Sequence, residues 1–136
     1  MKDWIIFSLV AMVLWGLWAF LPKLASAYID PRSILVYDVI GTFIVGVVVF
    51  FIVQFKPAFH MQGTTLGILT GIAGTLGLLF FLFALQRGAT SLVVTTTALY
   101  PVVTILLASI LLKEPVTLKQ GLGVLLAIVA IILMSS

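Results

Sequence analysis

The sequence has no cysteine and one histidine, and only 8% of its residues are charged, against roughly 25% in an ordinary soluble domain. Without cysteine the chain has no disulfide, no thiol nucleophile and no cysteine-ligated metal. The histidine, His60, falls in a loop and has no partner residues in the pattern of a metal cluster or a catalytic triad. The sequence therefore predicts no enzyme, no metal site and no cofactor.

The few charges are also scattered. Seven Lys and Arg against four Asp and Glu give a net charge of +3, without the basic patch or stripe that a nucleic-acid surface needs. We expect no nucleic-acid partner.

Apolar residues dominate what is present. Of 136 residues, 63% are hydrophobic, and the mean hydropathy is +1.37. A soluble domain this small could not hide so much apolar surface, because small domains leave much of their surface exposed. The excess must face lipid, so the bilayer is the first expected partner.

Five apolar segments predict an all-α bundle of five transmembrane helices in one membrane domain spanning residues 1–136. Each segment is about 18–25 residues long, enough to cross a ~30 Å hydrocarbon core at 1.5 Å per residue. Continuous apolar runs favour helices over the alternating strands of a barrel. The predicted helices cover 4–28, 31–55, 65–85, 91–112 and 118–134.

Short signals separate the segments. Asp30 is expected to cap the second helix with Pro31 at its first position, and Thr117 and Gln120 have the spacing of a capping box. The motif Ala25-Ser26-Ala27 resembles a signal-peptidase site, but the apolar stretch before it exceeds a 7–15 residue signal core. We expect this first helix to be retained.

Five crossings place the two chain ends on opposite membrane sides, and the basic residues divide almost evenly. The N-terminal side receives Lys2, Lys56, Lys113 and Lys119, and the other side receives Lys23, Arg32 and Arg87. The small excess favours a cytoplasmic N-terminus in the cell membrane. So even a division also fits insertion in both orientations.

Small residues predict close helix contacts. The third segment carries a glycine stripe at spacings of four, three and three, and the fifth segment repeats a spacing of four. The stripe comprises Gly67, Gly71, Gly74 and Gly77, and the fifth segment has Gly123 with Ala127. Helix packing is the expected role, and contact with a substrate is the alternative.

Two ionisable residues are predicted at membrane depth, where such groups are functional candidates. Lys23 and Asp38 both lie roughly 7–11 Å below the same membrane face at 1.5 Å per residue. We expect them to face each other or to share a polar vestibule. The alternative is that Lys23 extends to the interface and Asp38 borders a shallow water pocket.

Aromatic and hydroxyl side chains predict a second candidate surface. Pro101 is expected to kink the fourth helix near its middle. The stripe around it comprises Thr97, Tyr100 and Thr104. These side chains either line a cavity or have hydroxyls that bond carbonyls of their own helix. Trp15 and Trp18 form a similar face on the first helix. Such faces suit a small amphipathic or cationic solute.

Glu114 is predicted at the membrane edge just before the fifth helix. A carboxylate near a helix N-terminus is favourably placed, which is the structural interpretation. Proton coupling is the alternative.

These motifs together resemble the EamA module of the drug/metabolite transporter superfamily over essentially the whole chain. The first segment has Leu14-Trp15-Gly16 followed by Lys23. The last third has, in order, Tyr100-Pro101-Val102, Leu111-Leu112-Lys113-Glu114-Pro115 and Gln120-Gly121-Leu122-Gly123. The resemblance implies transport of small solutes, often export of metabolites, amino acids or drugs, through a central cavity. Typical members hold two inverted five-helix units in one chain.

This chain departs from the family pattern at Asp38, where members often have arginine, so the substrate charge stays open. Small multidrug exporters of the same superfamily rely on a membrane-embedded glutamate in the first helix; the first segment has no acidic residue after Asp3, so that mechanism is not carried over. With one unit per chain, we expect a half-length transporter that pairs with a second copy, antiparallel, or with a related half-transporter. The alternative is a non-transporting subunit or scaffold of a larger partner.

Overall fold

The computed structural model describes residues 3–135, with side chains for 3–134, and is mostly helical. No strand occurs among the described residues, which confirms the predicted all-α class. Lys2, counted among the charges above, lies outside them. The six helices are α1 (Asp3–Ala25), α2 (Pro31–Ile52), α3 (Met61–Arg87), α4 (Thr90–Thr97), α5 (Tyr100–Leu111) and α6 (Leu118–Ser135).

Within residues 3–135, four stretches are long and apolar enough to cross a membrane. They are α1, α2, α3 and the combined stretch Thr90–Leu111 that contains α4 and α5. The α6 helix is apolar but shorter. Five apolar stretches therefore stand where the sequence predicts five helices.

The fourth predicted helix is interrupted just before Pro101. The structure places a turn at Ala98 and Leu99 between α4 and α5, and Pro101 lies in the first turn of α5. Proline has no N–H to donate to the carbonyl four residues earlier, which belongs to Thr97. The helix is thus divided into two shorter helices at this point.

Asp30 begins α2 as predicted. It is the N-cap residue, and its Oδ1 accepts from the N–H groups of Arg32 and Ser33 at 2.9 and 3.3 Å. The Ser33 hydroxyl also donates to the Asp30 carboxylate. This side-chain hydrogen bond, followed by the Ser33 backbone N–H, lowers the pKa of Asp30 below its ordinary value of 3.8. The cap is therefore present at neutral pH and is lost as the pH falls through the lowered pKa.

The α2 helix ends at Ile52, before the predicted boundary near residue 55, because the chain turns into a Schellman motif. The Phe55 N–H donates to the Phe50 carbonyl at 3.0 Å. The Gln54 N–H donates to the Phe51 carbonyl at the same distance. These are the two bonds of the motif, and the Phe55 ring packs edge-on against Phe50 and Phe51 with centroids 5.0 and 4.7 Å away.

Two further helix starts are capped by side chains. The predicted capping box before α6 is confirmed: Gln120 Oε1 accepts from the Thr117 N–H at 2.8 Å, and Thr117 Oγ1 accepts from the Gln120 N–H at 3.3 Å. His60 precedes α3, and its Nδ1 accepts from the Gly63 N–H at 3.4 Å. This cap explains why α3 begins at Met61, a turn before the predicted residue 65.

The chain divides between Gln86 and Arg87 into two compact units, which are described separately. The first unit contains the buried hydrophobic side chains of the described residues, and they concentrate where α1 ends, α2 begins and α3 ends. These side chains are Ile34, Leu78, Phe81, Leu82 and Leu85. In the second unit, α4 packs against α6. The single domain predicted from the sequence stays a prediction.

The end of α2 gives a stability prediction. Gln54 has φ 54°, a left-handed conformation that costs a residue with a Cβ roughly 1–2 kcal/mol. Glycine adopts it without that penalty. We expect Gln54→Gly to be more stable than Gln54→Ala by about 1 kcal/mol, measured by reversible unfolding in detergent. Equal stability of the two variants, or a more stable alanine variant, would contradict the assigned turn.

Candidate functional site

The first polar contact between helices joins α1 to α2. Trp18 Nε1 donates to Asp38 Oδ1 at 3.1 Å. Trp18 lies seven residues before Ala25, the last residue of α1, and Asp38 lies seven residues after Pro31, the first residue of α2. Equal distances from one turn are what antiparallel neighbours require. At 1.5 Å per residue the contact lies about 10 Å along each helix from the turn.

The second set of contacts joins α1 to α3, which run in the same direction. The Trp18 ring stacks on Phe81 with centroids 5.9 Å apart and planes 15° from parallel. Closer to the helix ends, Lys23 Nζ donates to the Leu85 carbonyl at 3.4 Å. Both contacts keep nearly equal distances from the C-terminal ends of the two helices, so α1 and α3 are in register.

Trp18 is therefore the residue at which three helices meet. We call Trp18, Asp38 and Phe81 the indole cluster. Phe81 is 7% exposed, Trp18 is 42% exposed and Asp38 is half-buried. The cluster thus presents an accessible indole beside a partly accessible carboxylate.

Lys23 and Asp38 have different partners in the structure. The sequence predicts that they face each other or share a vestibule, whereas here each contacts a different helix. Lys23 contacts the last turns of α3 and Asp38 contacts the middle of α1. Both residues lie near the same end of the first unit. The vestibule that they are expected to share stays a prediction.

Phe81 and Leu85 are the residues that sequence reasoning missed. Phe81 lies in an unbroken apolar run, where its neighbour Phe80 is 69% exposed. Nothing in composition separates two adjacent phenylalanines. Register narrows the choice only to a level: counting back equal distances from the ends of α1 and α3 places Trp18 beside the adjacent Phe80 and Phe81.

Trp15 is the remaining candidate on α1. It lies three residues before Trp18, and its side chain is 60% exposed. At that spacing it shares a helix face with Trp18.

The hydroxyl candidates of the second unit bond their own helices. Thr97 Oγ1 donates to the carbonyls of Val93 and Val94 at 2.9 and 3.0 Å. Thr104 Oγ1 donates to the Tyr100 carbonyl at 3.2 Å. These contacts match the locally bonded alternative, although each hydroxyl oxygen keeps acceptor capacity. Tyr100 itself is 55% exposed at the start of α5.

Glu114 lies in the connection between α5 and α6, where it lines a depression of about 90 Å³ together with Ser109 and Gln120. Ligand pockets for drug-sized molecules are ~300–1,000 Å³. The depression is too small for such a solute. The connection is shaped by Lys113 at φ 56° and by the Glu114 N–H, which donates to the Ala108 carbonyl at 3.4 Å.

The predicted packing glycines face open space. A Cβ added to any of them would meet no atom within 4 Å, as calculated for Gly67, Gly71, Gly74, Gly77 and Gly123. The close helix approach expected of them stays a prediction. Gly71 and Gly74 continue, toward the start of α3, the face that carries buried Leu78 and Leu82.

No group of three or more His, Asp or Glu residues among residues 3–135 is arranged to hold a metal ion. The candidate residues therefore offer aromatic surface, hydroxyls and single charges. These features can bind and orient a small molecule.

Known proteins are similar to this chain over almost its whole length. The model of the EamA-like transporter family matches residues 2–136. An uncharacterized protein of Methanocaldococcus jannaschii, MJ1333.1, is 29% identical over 133 residues, which cover 96% of this chain and 95% of that protein. No solved structure matches the chain.

The indole cluster gives a prediction for stability. We expect a double-mutant cycle of Trp18→Phe and Asp38→Ala to show a coupling free energy of about 0.6 kcal/mol and at most about 1.7 kcal/mol, the average and the maximum measured for hydrogen bonds between membrane helices. Unfolding of the purified protein in detergent provides the measurement. The control cycle pairs Trp4→Phe with Asp38→Ala, because Trp4 lies about 21 Å along α1 from Trp18. Coupling that is no larger than in the control would contradict the contact.

Proposed function

This chain belongs to the EamA-like transporter family and is a multi-pass membrane protein, and from that premise we propose that it exports a small metabolite or drug-like solute. The proposed mechanism is alternating access by a dimer of two such units in the cell membrane. The membrane-enzyme alternative is disfavoured by the sequence pattern, which contains no recognisable acid–base or metal-ligand set.

The indole cluster is the observation that carries this proposal. It places a carboxylate and an accessible aromatic ring about 10 Å from a helix turn, inside apolar helices. Ionisable residues at that depth face a cavity or a partner and mark solute pathways. Trp18 and Asp38 are accordingly the proposed solute contacts, with Trp15 and Lys23 beside them.

In the second unit, the proposed contacts lie around the interruption of the fourth predicted helix. Interrupted helices beside a midplane site recur in secondary transporters. Thr97 and Thr104 offer hydroxyl oxygens, and Tyr100 offers an aromatic ring. Pro101 maintains the interruption, and the proposed role of Glu114 is structural.

The number of units in this chain supports the proposed dimer. The resemblance implies two inverted five-helix units per working transporter, and this chain has one. An antiparallel pair of copies would supply the second unit in the inverted orientation. The nearly equal division of Lys and Arg supports insertion both ways, and the open glycine stripe of α3 supplies a surface for close helix pairing.

Transport by the reconstituted protein tests the proposal. A ligand-stabilisation screen on purified protein selects a solute, and uptake of that solute into vesicles measures flux. We expect Trp18→Phe, which keeps the ring and removes the N–H donor, to lower flux roughly threefold to tenfold. Trp4→Phe is the matched control and should leave flux unchanged. Absence of flux, with a larger protein recovered on gentle extraction, would favour the scaffold alternative.

Orientation in the membrane tests the dimer. Two reporter domains, one active only on the cytoplasmic side and one active only on the opposite side, are fused in turn to the C-terminus. We expect both reporters to be active, because the charge bias is too small to fix one topology. A single orientation would refute the antiparallel homodimer and leave a pair with a related half-transporter.

A further inference from the structure

Asp38 carries a negative charge whose partner is neutral. Within residues 3–135, the hydrogen bond that the structure gives its carboxylate comes from the Trp18 indole. A carboxylate has about four lone-pair positions, so one indole leaves most of its acceptor capacity unused. Charged groups inside membrane helices pair with an opposite charge or line a water-filled cavity. The cluster therefore supplies a negative charge that its own residues do not neutralise.

Lys23, the cation predicted at the same membrane depth as Asp38, is engaged elsewhere. Its ammonium group donates to the Leu85 carbonyl in the last turns of α3. The C-terminal end of a helix carries about half a negative charge, which favours a cation there. Lys23 is thus matched to the end of α3 rather than to the Asp38 carboxylate.

An aromatic surface lies directly beside this carboxylate. One face of Trp18 stacks on Phe81, and the residue remains 42% exposed. The indole is the best aromatic partner for a cation, which it attracts through the negative potential of the ring face. Because its N–H is tethered to Asp38, the ring and the carboxylate are held as neighbours.

We propose that the indole cluster binds a small organic ammonium ion with an apolar body, and that Asp38 determines the preference for positive charge. The ammonium group pairs with the Asp38 carboxylate, and the apolar body lies against the accessible surface of Trp18. Lys23 stays bonded to the Leu85 carbonyl of α3. It does not by itself exclude anions from Asp38 or Trp18. This inference rests on the proposed transport function and specifies its substrate class.

The test compares three probes that share a phenyl group and differ in charge. They are phenethylamine, which is cationic at neutral pH, phenethyl alcohol, which is neutral, and phenylacetate, which is anionic. Equilibrium binding to the purified full chain in detergent is measured by calorimetry. We expect phenethylamine to bind about tenfold more tightly than the alcohol and phenylacetate to bind least.

Three variants identify the residue responsible. Asp38→Asn should remove the difference between phenethylamine and the alcohol, whereas Asp38→Glu should keep it. Asp38→Asn keeps the size of the side chain and Asp38→Glu adds one methylene group, so a preference retained only in the larger variant shows that charge, rather than misfolding, controls binding. Asp3→Asn removes a carboxylate at the other end of α1 and should leave the preference intact.

Several outcomes would overturn the inference. These are tighter binding of phenylacetate, equal binding of all three probes, absence of phenethylamine binding, and a preference that survives Asp38→Asn. Vesicle flux of phenethylamine is measured separately. Charge-selective binding without flux would refute the transport proposal and leave the cation site standing, whereas flux of an uncharged solute alone would do the reverse.

Discussion

Lipid provides almost no hydrophobic force between helices, because acyl chains are as apolar as leucine side chains. Most of the large apolar side chains of this protein are exposed and face that solvent. The relative placement of α1, α2 and α3 must then depend on close packing and on the few polar contacts available. Trp18 supplies two of these contacts, one to Asp38 and one to Phe81. It therefore couples the three helices whose ends surround the buried residues of the first unit.

The same residue connects architecture to the proposed function. A tryptophan whose N–H is held by a carboxylate is less free to rotate, and its ring is fixed against Phe81. A solute that pairs with the carboxylate would act directly on a helix-to-helix contact. Such a link is what alternating access needs, since binding must differ in free energy between the two states.

Local features were largely predictable from the sequence because they depend on nearby residues. The Asp30 cap and the Thr117–Gln120 capping box follow from spacing alone and are confirmed. The end of α2 was less predictable, since its Schellman motif uses glutamine rather than glycine in the left-handed position. The cap on α3 was missed because histidine is an uncommon capping residue.

Contacts between helices were harder to predict. Sequence reasoning selected Trp18, Lys23 and Asp38 as residues at membrane depth, but depth alone does not specify which faces meet. A rotation of one helix by a single residue, 100° at 3.6 residues per turn, exchanges a neighbour for a lipid contact. Phe81 could not be distinguished from Phe80 for this reason.

The most direct test of the account is the indole N–H of Trp18 itself. NMR of the protein in nanodiscs, with the indole nitrogen labelled, resolves the signals of its three tryptophans. The account predicts slow hydrogen exchange at the Trp18 indole and a change in its chemical shift in Asp38→Ala, with Trp4 unaffected. A Trp18 signal that exchanges as fast as that of Trp4 and does not respond to the loss of Asp38 would contradict it.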